Sequence, residues 1–274
     1  MSTEHTIIGV GRSAEILAWG EDRAMKLYRE GSSRAWVQRE ARVSHLVREA
    51  GLPAPAVFPA ETEDGLHEID GRLGILYERV YGPTMLRDLL ARPWMLLTHS
   101  KALAALHAQM HSVPGDGLPD ARERLERGIE ITGDSLSASQ QAAAREALAR
   151  LPSDARVCHG DFHPDNVLLQ EGGPIIIDWG PASCGHPLAD VAWTYLLYTI
   201  SGSPVDASLG MRIALAFVRR ISLRTYLRTY ERLTGASWTA IEPWLGVVAI
   251  LRLADRIPEE REALLRLIAE RFGP

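Results

Sequence analysis

The spacing of hydrophobic residues changes once along the chain, near residue 80. Before that point, short apolar runs are separated by glycine-containing turns, which predicts three strands over residues 6–29 and another buried strand over 73–78. One helix is expected between Ser33, a suitable N-cap, and Gly51, which ends it. Residues 1–80 are therefore expected to form a small sheet with one helix.

After Gly82-Pro83, apolar residues recur at helical spacing, so residues 81–274 are expected to form a larger, mainly helical lobe. Helices are expected near residues 84–91, 95–112, 119–130, 136–150, 187–200, 206–234, 238–255 and 258–272. A hairpin interrupts them, with strands at Val167–Leu169 and Ile175–Ile177 around the turn Gln170–Pro174.

That hairpin is the first candidate for chemistry. Pairing of its strands sets Asn166, which enters the first strand, beside Asp178, which leaves the second. Two oxygen-bearing side chains at one end of an apolar hairpin suit a hard cation such as Mg2+, which prefers oxygen ligands. The sequence therefore predicts Asn166 and Asp178 as metal ligands.

Composition adds a second candidate. Of the 30 basic residues, only Lys26 and Lys101 are lysines. Lysine is a compact charge suited to phosphate oxygens or to a single carboxylate. Strand alternation places Lys26 on the face opposite Met25 and Leu27, and Glu40 falls within the apolar stripe of the following helix. Lys26 is a candidate partner for Glu40, although pairing of Glu40 with Arg39 on the helix flank is an open alternative.

Together these parts suit phosphoryl transfer. Asp161 could accept the proton of a substrate hydroxyl while Lys26, oriented by Glu40, binds the α- and β-phosphates of a nucleotide. Backbone N–H groups of the turn containing Gly11 and Ser13 could cover phosphate, although that signal is weak by itself. The strand end at Glu78–Val80 would provide backbone hydrogen bonds to adenine.

Two further positions are expected to support the site. Only eleven residues separate Asp178 from Asp190, which enters an apolar helix and should be hydrogen-bonded to nearby loop backbone. Asp190 is interpreted as a brace for the turn that contains His159 and Asp161. His107 and His111 have the i, i+4 spacing of a metal pair, but without a third ligand motif packing or surface roles are favoured.

The motifs AMKLY with Lys26, QREA with Glu40, ILYERVYG, HGDFHPDN, IIIDWG and GHPLADVAW occur in this order from about residue 7 to 195. In this order and spacing they resemble the aminoglycoside phosphotransferase and choline kinase-like family. The resemblance implies an α+β, two-lobed protein-kinase-like fold with a small N-terminal antiparallel sheet, and the use of ATP and Mg2+. It also implies Asp161 as catalytic base, Asn166 and Asp178 as metal ligands, and Lys26 with Glu40 as the phosphate-binding pair.

Differences from protein kinases favour a small-molecule hydroxyl acceptor. The turn is His159-Gly160-Asp161 and the later motif is Asp178-Trp179-Gly180, with no room for an activation loop before Asp190. The acceptor is open among aminoglycosides, other antibiotics, amino alcohols, sugars and other metabolites. Two alternatives remain: a metal-dependent hydrolase using His159, Asp161, His163 and Asp165, and a nucleotide-binding pseudoenzyme.

The remaining features favour a cytoplasmic protein. A net charge of −5 argues against nucleic-acid backbone binding as the main activity. The first residues lack the basic and apolar regions of a signal peptide, and the longest apolar helices are shorter than a membrane span. Two cysteines, Cys158 and Cys184, are too few for a disulfide framework and are expected to be reduced. Oligomeric state is left open.

Overall fold

The structure is a computed structural model that describes residues 6–200 and 208–273. Its strands are β1 (Ile7–Val10), β2 (Ala14–Trp19), β3 (Arg23–Tyr28), β4 (Val57–Phe58), β5 (His67–Ile69), β6 (Arg72–Glu78), β7 (Arg156–Cys158), β8 (Val167–Gln170), β9 (Gly173–Ile176) and β10 (Ser183–Gly185). Its helices are α1 (Arg34–Glu49), α2 (Met85–Ala91), α3 (Leu96–Met110), α4 (Ala121–Ile131), α5 (Ala138–Arg150), α6 (Pro187–Ile200), α7 (Leu209–Thr234), α8 (Trp238–Ile241), α9 (Leu245–Leu253) and α10 (Pro258–Phe272).

The Cα atoms group into two compact units. One contains the described residues up to Asp88 together with Asp165–Ala182, and the other contains Leu89–Pro164 and the described residues from Ser183 onward. This grouping places the β8–β9 hairpin with the N-terminal sheet. The predicted division of function between lobes 1–80 and 81–274 stays a prediction.

The first unit is built on an antiparallel sheet with strand order β1-β2-β3-β6-β4, in which β5 also pairs with β6. Alternation along β3 places Tyr28 against Val37 of α1 on one face, and Met25 and Leu27 in a second cluster on the other. Helix α1 starts after Ser33 and stops before Gly51, which has a φ of +83°. The predicted small antiparallel sheet with one helix is confirmed.

The hairpin is shorter at its turn than predicted. Strands β8 and β9 pair from Val167–Ile176 to Gln170–Gly173, so Glu171 and Gly172 alone form the loop. Gly172, with a φ of +98°, makes this tight reversal accessible because glycine has no Cβ to clash. Ile177 and Asp178 therefore lie just beyond β9.

The second unit is mainly helical, as predicted, with α9 in its core: residues 245–250 are all buried. Helix α5 begins behind Ser137, which forms a capping box with Gln140. The continuous helix predicted near 238–255 is interrupted by a 3-10 helix at Glu242–Trp244, because Pro243 lacks the backbone N–H that an α-helix uses. Residues 206 and 207 of the predicted helix at 206–234 lie outside the described residues.

Within the described ranges, no helix combines the length and hydropathy required to cross a membrane.

Candidate active site

Lys26 lies on the face of the sheet that α1 covers. In the register of the sheet it is paired with Ile16 of β2 and Ile75 of β6, in the middle of the strands. Its Nζ donates a hydrogen bond to Glu40 Oε1 at 2.6 Å, and the Glu40 side chain is only 2% exposed. The candidate pairing of Lys26 with Glu40 is therefore present, and the burial of this carboxylate requires such a partner.

The same ammonium also contacts Asp178, just after β9. Lys26 Nζ lies 2.7 Å from Asp178 Oδ1, and the Asp178 side chain is 46% exposed. Burial lowers the pKa of Lys26, but the two carboxylates outweigh burial and raise its pKa above the ordinary value. One ammonium thus links a buried carboxylate to a solvent-facing one.

Two residues that were not predicted from the sequence, Tyr77 and Gly180, lie against the Glu40 carboxylate. The hydroxyl of Tyr77 donates to Glu40 Oε1 at 3.4 Å, and its oxygen lies 3.2 Å from Ser44 Oγ. A Cβ atom at Gly180 would lie 2.7 Å from Glu40 Oε2, so any larger residue here would have to displace the Glu40 carboxylate. Alternation along β6 could have indicated which face of the sheet Tyr77 occupies. The close approach of the Gly180 backbone to Glu40 has no signal in the sequence beyond the glycine itself.

Asn166 is buried and ends the 3-10 helix Pro164–Asn166, immediately before β8. Ile177 N donates to Asn166 O at 3.0 Å, which extends the β8–β9 ladder by one pair. Asn166 is therefore opposite Ile177, and Asp178 is the next residue along. An amide oxygen and a carboxylate are hard donors of the type that Mg2+ takes, and Asp178 already faces a cation, the ammonium of Lys26. The donor set fits the implied metal.

Asp178 has an unusual backbone conformation. Its φ of +65° lies in the left-handed region, which non-glycine residues seldom adopt. Such conformations persist where the surrounding structure imposes them, and they are concentrated at functional sites.

The other predicted nucleotide contacts occupy separate places in the first unit. Gly11 and Ser13 lie in the exposed β1–β2 turn, closed by the bond from Gly11 N to Ala14 O. Glu78 ends β6, where its backbone N–H donates to Ala56 O and its side chain pairs with Arg48. Val80 follows two residues beyond β6 and is partly buried. The contacts of these four residues are not with Lys26, Glu40 or Asp178.

Asp161 lies in the second unit. Trp193 Nε1 donates to Asp161 Oδ1 at 3.1 Å, and His163 Nε2 lies 3.6 Å from Oδ2. Burial raises the pKa of Asp161, but the hydrogen bond and charge of His163 and the N–H of Trp193 outweigh it. The pKa of Asp161 is therefore below its usual value, and the side chain is an ionised acceptor near neutral pH.

The backbone of the turn is held by Asp190, which is buried in the first turn of α6. Its Oδ2 accepts from His159 N at 2.5 Å and its Oδ1 accepts from Gly160 N at 2.8 Å. The next amide, Asp161 N, donates to His159 Nδ1 at 3.3 Å. The expected bonding of Asp190 to loop backbone is present, and the buried His159 is also part of the turn.

The geometry offers little support for the hydrolase alternative. Asp165 accepts a hydrogen bond from Thr84, and His159 accepts one from the Asp161 amide. Among the described residues, the one set of three potential ligands close enough to share an ion is His107, His111 and Asp190. The histidine pair and Asp190 are about 80 residues apart in the sequence, and only the fold brings them together.

Comparison with known proteins gives one family match. Residues 6–244 match the model of the phosphotransferase enzyme family. A mouse (Mus musculus) protein, acyl-CoA dehydrogenase family member 10, is 24% identical over 190 residues. That alignment covers 61% of this chain but only 17% of the mouse protein.

Solved structures of similar fold are also known. A thermostable mutant of aminoglycoside phosphotransferase APH(4)-Ia, in a ternary complex with ADP and hygromycin B, has a TM-score of 0.64 and 16% identity over 98% of this chain and 93% of that one. Amicoumacin kinase hAmiN, in complex with AMP-PNP, Ca2+ and Ami, has a TM-score of 0.63 and 15% identity over 98% and 88%. These likenesses show the two-lobed protein-kinase-like fold.

Proposed function

Because this chain belongs to the phosphotransferase enzyme family, we propose that it transfers the γ-phosphoryl group of ATP to a hydroxyl group of a small molecule. The observation that carries the proposal is the ammonium of Lys26 between Glu40 and Asp178. Phosphoryl transfer requires little covalent chemistry from the protein, so fixed charges that position and neutralise phosphates supply most of the acceleration. The ADP and AMP-PNP in the two similar structures also support a nucleotide donor.

Lys26 is proposed to bind the α- and β-phosphates. Glu40 fixes the direction of its ammonium through the 2.6 Å bond, and Tyr77 in turn positions Glu40. When phosphate oxygens arrive, Lys26 can keep its bond to the buried Glu40 while it exchanges the more exposed Asp178 for them. Asp178 is then available as a ligand to the metal.

Asn166 and Asp178 are proposed to hold Mg2+ through their side-chain oxygens. Bound there, the ion would neutralise charge on the β- and γ-phosphates. The turn containing Gly11 and Ser13 is proposed to cover the phosphates with its backbone N–H groups other than that of Gly11, which donates to Ala14 O. The strand end at Glu78 and Val80 is proposed to bind the adenine through its backbone.

Asp161 is proposed as the catalytic base that accepts the proton of the acceptor hydroxyl. Its ionised state supports that role, and the bond from Trp193 Nε1 to Oδ1 fixes the orientation of the carboxylate. His159 and Asp190 are proposed to keep the Asp161 backbone fixed, since misplacement of a reacting group by about 1 Å can cost roughly 100-fold in rate.

Several chemical classes of hydroxyl acceptor are proposed. The similar structures contain antibiotics, so an aminoglycoside or another antibiotic, and hence antibiotic resistance, is one proposal. However, the guanidinium carbons of Arg124 and Arg252 lie 5.3 and 5.4 Å from the ring centroid of Trp193, beside Asp161. Arg252 is itself paired with Asp255 and Glu260, so this charge is largely neutralised and selects no acceptor class. Amino alcohols, sugars and other metabolites therefore belong in the same test. The cytoplasmic location stays a prediction.

The test is a substrate panel of aminoglycosides, other antibiotics, amino alcohols and sugars, incubated with Mg2+ and ATP or GTP. Phosphoryl transfer is read as the mass gain of the acceptor and the release of nucleoside diphosphate. With the best acceptor, Asp161→Asn should lower kcat by about 10²- to 10⁴-fold, the usual contribution of a general base. Nucleotide affinity, measured by calorimetry, should change little.

The matched control is Asp116→Asn, which removes an exposed carboxylate of the same unit and should leave turnover unchanged. Equal turnover in wild type and Asp161→Asn would refute the base assignment. Nucleotide binding without transfer to any acceptor in the panel would favour the pseudoenzyme.

A further inference from the structure

Asp190 lies at the centre of a buried hydrogen-bond network that extends well beyond the turn it braces. Besides the two backbone amides, its Oδ2 accepts from His107 Nε2 at 3.0 Å and from His111 Nε2 at 3.3 Å. Asp190 is 3% exposed, His107 0% and His111 6%. Burial raises the pKa of Asp190, but the hydrogen bonds from the two histidines outweigh it and keep its pKa well below the ordinary value.

The Nδ1 atom of each histidine, on the side of the ring away from Asp190, is hydrogen-bonded to a tyrosine of α7. His107 Nδ1 lies 2.6 Å from the Tyr226 hydroxyl, and His111 Nδ1 lies 2.6 Å from the Tyr230 hydroxyl. Both pairs are 119 residues apart in the sequence, because α3, extended by its C-cap residue His111, and α7 each present two residues at i, i+4 in matching register. The two contacts are therefore a repeated arrangement along one helix pair.

The direction of these bonds follows from charge. An ionised carboxylate only accepts, so each Nε2 that faces Asp190 carries the hydrogen. Burial lowers the pKa of His107 to about 3, so its ring is neutral and Nδ1 carries a lone pair. Tyr226 must then donate to Nδ1. We assign the same direction, from Tyr230 to His111, to the contact in the matching position, because His111 Nε2 also faces Asp190. Each chain then runs from tyrosine through histidine to Asp190.

His107 also contacts Phe162, the residue next to the proposed base. The ring centroids of His107 and Phe162 are 4.4 Å apart, and Phe162 is fully buried. Thr194 Oγ1 donates to Phe162 O at 2.9 Å. The turn from His159 to Phe162 is thus fixed through the amides of His159 and Gly160 and through the carbonyl and ring of Phe162. Rotation of the His107 ring would change its contact with the Phe162 ring and its hydrogen bond to Asp190, which holds the two amides.

We infer that Tyr226 and Tyr230 are positioning residues, which hold the rings of His107 and His111 so that Asp190 and the His159–Phe162 turn keep Asp161 in place. This inference rests on the proposed function only in naming Asp161 as the base. The tyrosine hydroxyls affect Asp161 indirectly. A neutral imidazole whose Nδ1 no longer accepts from a tyrosine can rotate or change tautomer, and Asp190 then loses a hydrogen-bond donor.

A metal ion is the competing use of the same atoms, since His107, His111 and Asp190 can each offer one ligand. The hydrogen bonds argue against it: Asp190 Oδ2 already accepts from His159 N as well as from both rings. An ion would have to displace the two ring hydrogens in a fully buried site. Elemental analysis of the purified full-length protein distinguishes the two uses, and a stoichiometric transition metal would overturn the inference.

The test replaces Tyr226 and Tyr230 by phenylalanine, singly and together. In the double variant kcat should fall by about 10- to 100-fold, the effect of a small displacement of a reacting group, with KM for ATP unchanged within about twofold. Tyr198→Phe is the matched control, because the Tyr198 hydroxyl accepts from Ser222 Oγ at 3.2 Å and has no bond to either histidine. It should leave kcat unchanged within about twofold.

Two readouts do not depend on any activity. Nitrogen NMR of the wild type should show His107 and His111 unprotonated at Nδ1 and protonated at Nε2. Hydrogen exchange at the amides of His159 and Gly160 should be faster in the tyrosine variants than in Tyr198→Phe, compared at equal global stability. Protonated Nδ1 atoms, or unchanged exchange and kcat in the double variant, would overturn the inference.

These readouts separate the two proposals. If the wild type transfers no phosphate to any acceptor but shows the expected nitrogen protonation and amide exchange, the proposed function fails and the positioning network stands. If transfer is found and the tyrosine variants behave like Tyr198→Phe, the proposed function stands and the positioning role of Tyr226 and Tyr230 is refuted.

Discussion

Lys26 is one of two lysines in a chain that otherwise uses arginine, and its single ammonium contacts both Glu40 and Asp178. A guanidinium is a planar, longer group, and it could not replace the ammonium between these oxygens without moving one of them. The rarity of lysine therefore drew attention to a residue that joins two carboxylates. The sequence did not indicate Tyr77 or Gly180, because their effect on Glu40 depends on how closely α1 and the segment after β9 approach the sheet.

We predict that Lys26→Ala weakens ATP binding by about 10- to 100-fold, since a hydrogen bond to a charged group contributes roughly 1.5–3 kcal/mol. The free energy of unfolding should also fall, by about 3 kcal/mol, because Glu40 is left buried without its cation. Calorimetric titration with ATP and urea denaturation measure the two effects. Lys101→Ala removes the other, exposed lysine and should change neither. Full ATP affinity in Lys26→Ala would contradict the assigned role.

A second residue prediction concerns Asp178, whose φ of +65° asparagine tolerates better than most residues do. Asp178→Asn should therefore keep the fold, with the free energy of unfolding changed by less than about 1 kcal/mol, and lose a charged metal ligand. Activity should require a higher Mg2+ concentration and reach a lower maximum. Asp70→Asn is the control, because Asp70 also has a positive φ, of 50°, in the β5–β6 turn. Identical Mg2+ dependence in wild type and Asp178→Asn would exclude Asp178 as a ligand.

At the level of elements, hydrophobic spacing predicted the sheet, α1 and the hairpin, because each is encoded in a local alternation of apolar residues. The predicted ends of the strands were less accurate. The sequence placed the second hairpin strand at Ile175–Ile177, whereas β9 runs Gly173–Ile176. Two adjacent glycines allow the reversal at several points, and only pairing with β8 selects one.

Gly82 shows how the meaning of a glycine depends on its neighbours. With Pro83 it indicated a domain boundary in the sequence, but it also lies directly against the hairpin. A Cβ atom at Gly82 would lie 1.7 Å from Leu169 O, and Leu169 N donates to Pro83 O at 2.9 Å. The glycine is therefore required where the hairpin approaches this segment within the first unit.

We predict that Gly82→Ala lowers the free energy of unfolding by roughly 2–4 kcal/mol, through both the clash with Leu169 and the φ of +149°. Urea denaturation measures the change. Gly20→Ala is the control for the cost of a positive φ without a clash. The φ of Gly20 is +70°, and no heavy atom lies within 4 Å of the position that the alanine methyl group would take. Its cost should be only about 1–2 kcal/mol. Equal losses in the two variants would show that the contact with Leu169 has no effect.

For the whole molecule, the family resemblance predicted the fold class and membership of a phosphotransferase family, but the network around Asp190 could not be foreseen. Its side chains come from α3, α6 and α7 and its amides from the turn before Phe162, and helical periodicity gives no information on the register between helices. The i, i+4 spacing of His107 and His111 suggested a metal pair or a packing role. The structure places hydrogen-bond partners on both sides of each ring instead.

That network makes the stability of the molecule depend on pH. The pKa of His107 is lowered to about 3 in the folded state, from an ordinary value near 6.5. Between these values the unfolded chain binds a proton that the folded chain does not, so His107 contributes full stability above pH 6.5 and loses it as the pH falls toward 3. We predict a fall in the free energy of unfolding of up to about 1.4 kcal/mol per pH unit from this residue. Below pH 4, Asp190 adds to the loss, since its pKa is also lowered.

Urea denaturation followed by helical circular dichroism, between pH 7 and 4.5, measures this slope in a range where Asp190 stays ionised. His107→Gln is less stable at neutral pH but lacks the titrating ring, so its stability should fall less steeply with acid than that of the wild type. His45→Gln removes a histidine whose side chain is 60% exposed and should leave the slope unchanged. A wild-type slope equal to that of His107→Gln would mean that His107 is protonated in the folded protein. The directions assigned to the hydrogen bonds between Tyr226, His107 and Asp190 would then be wrong.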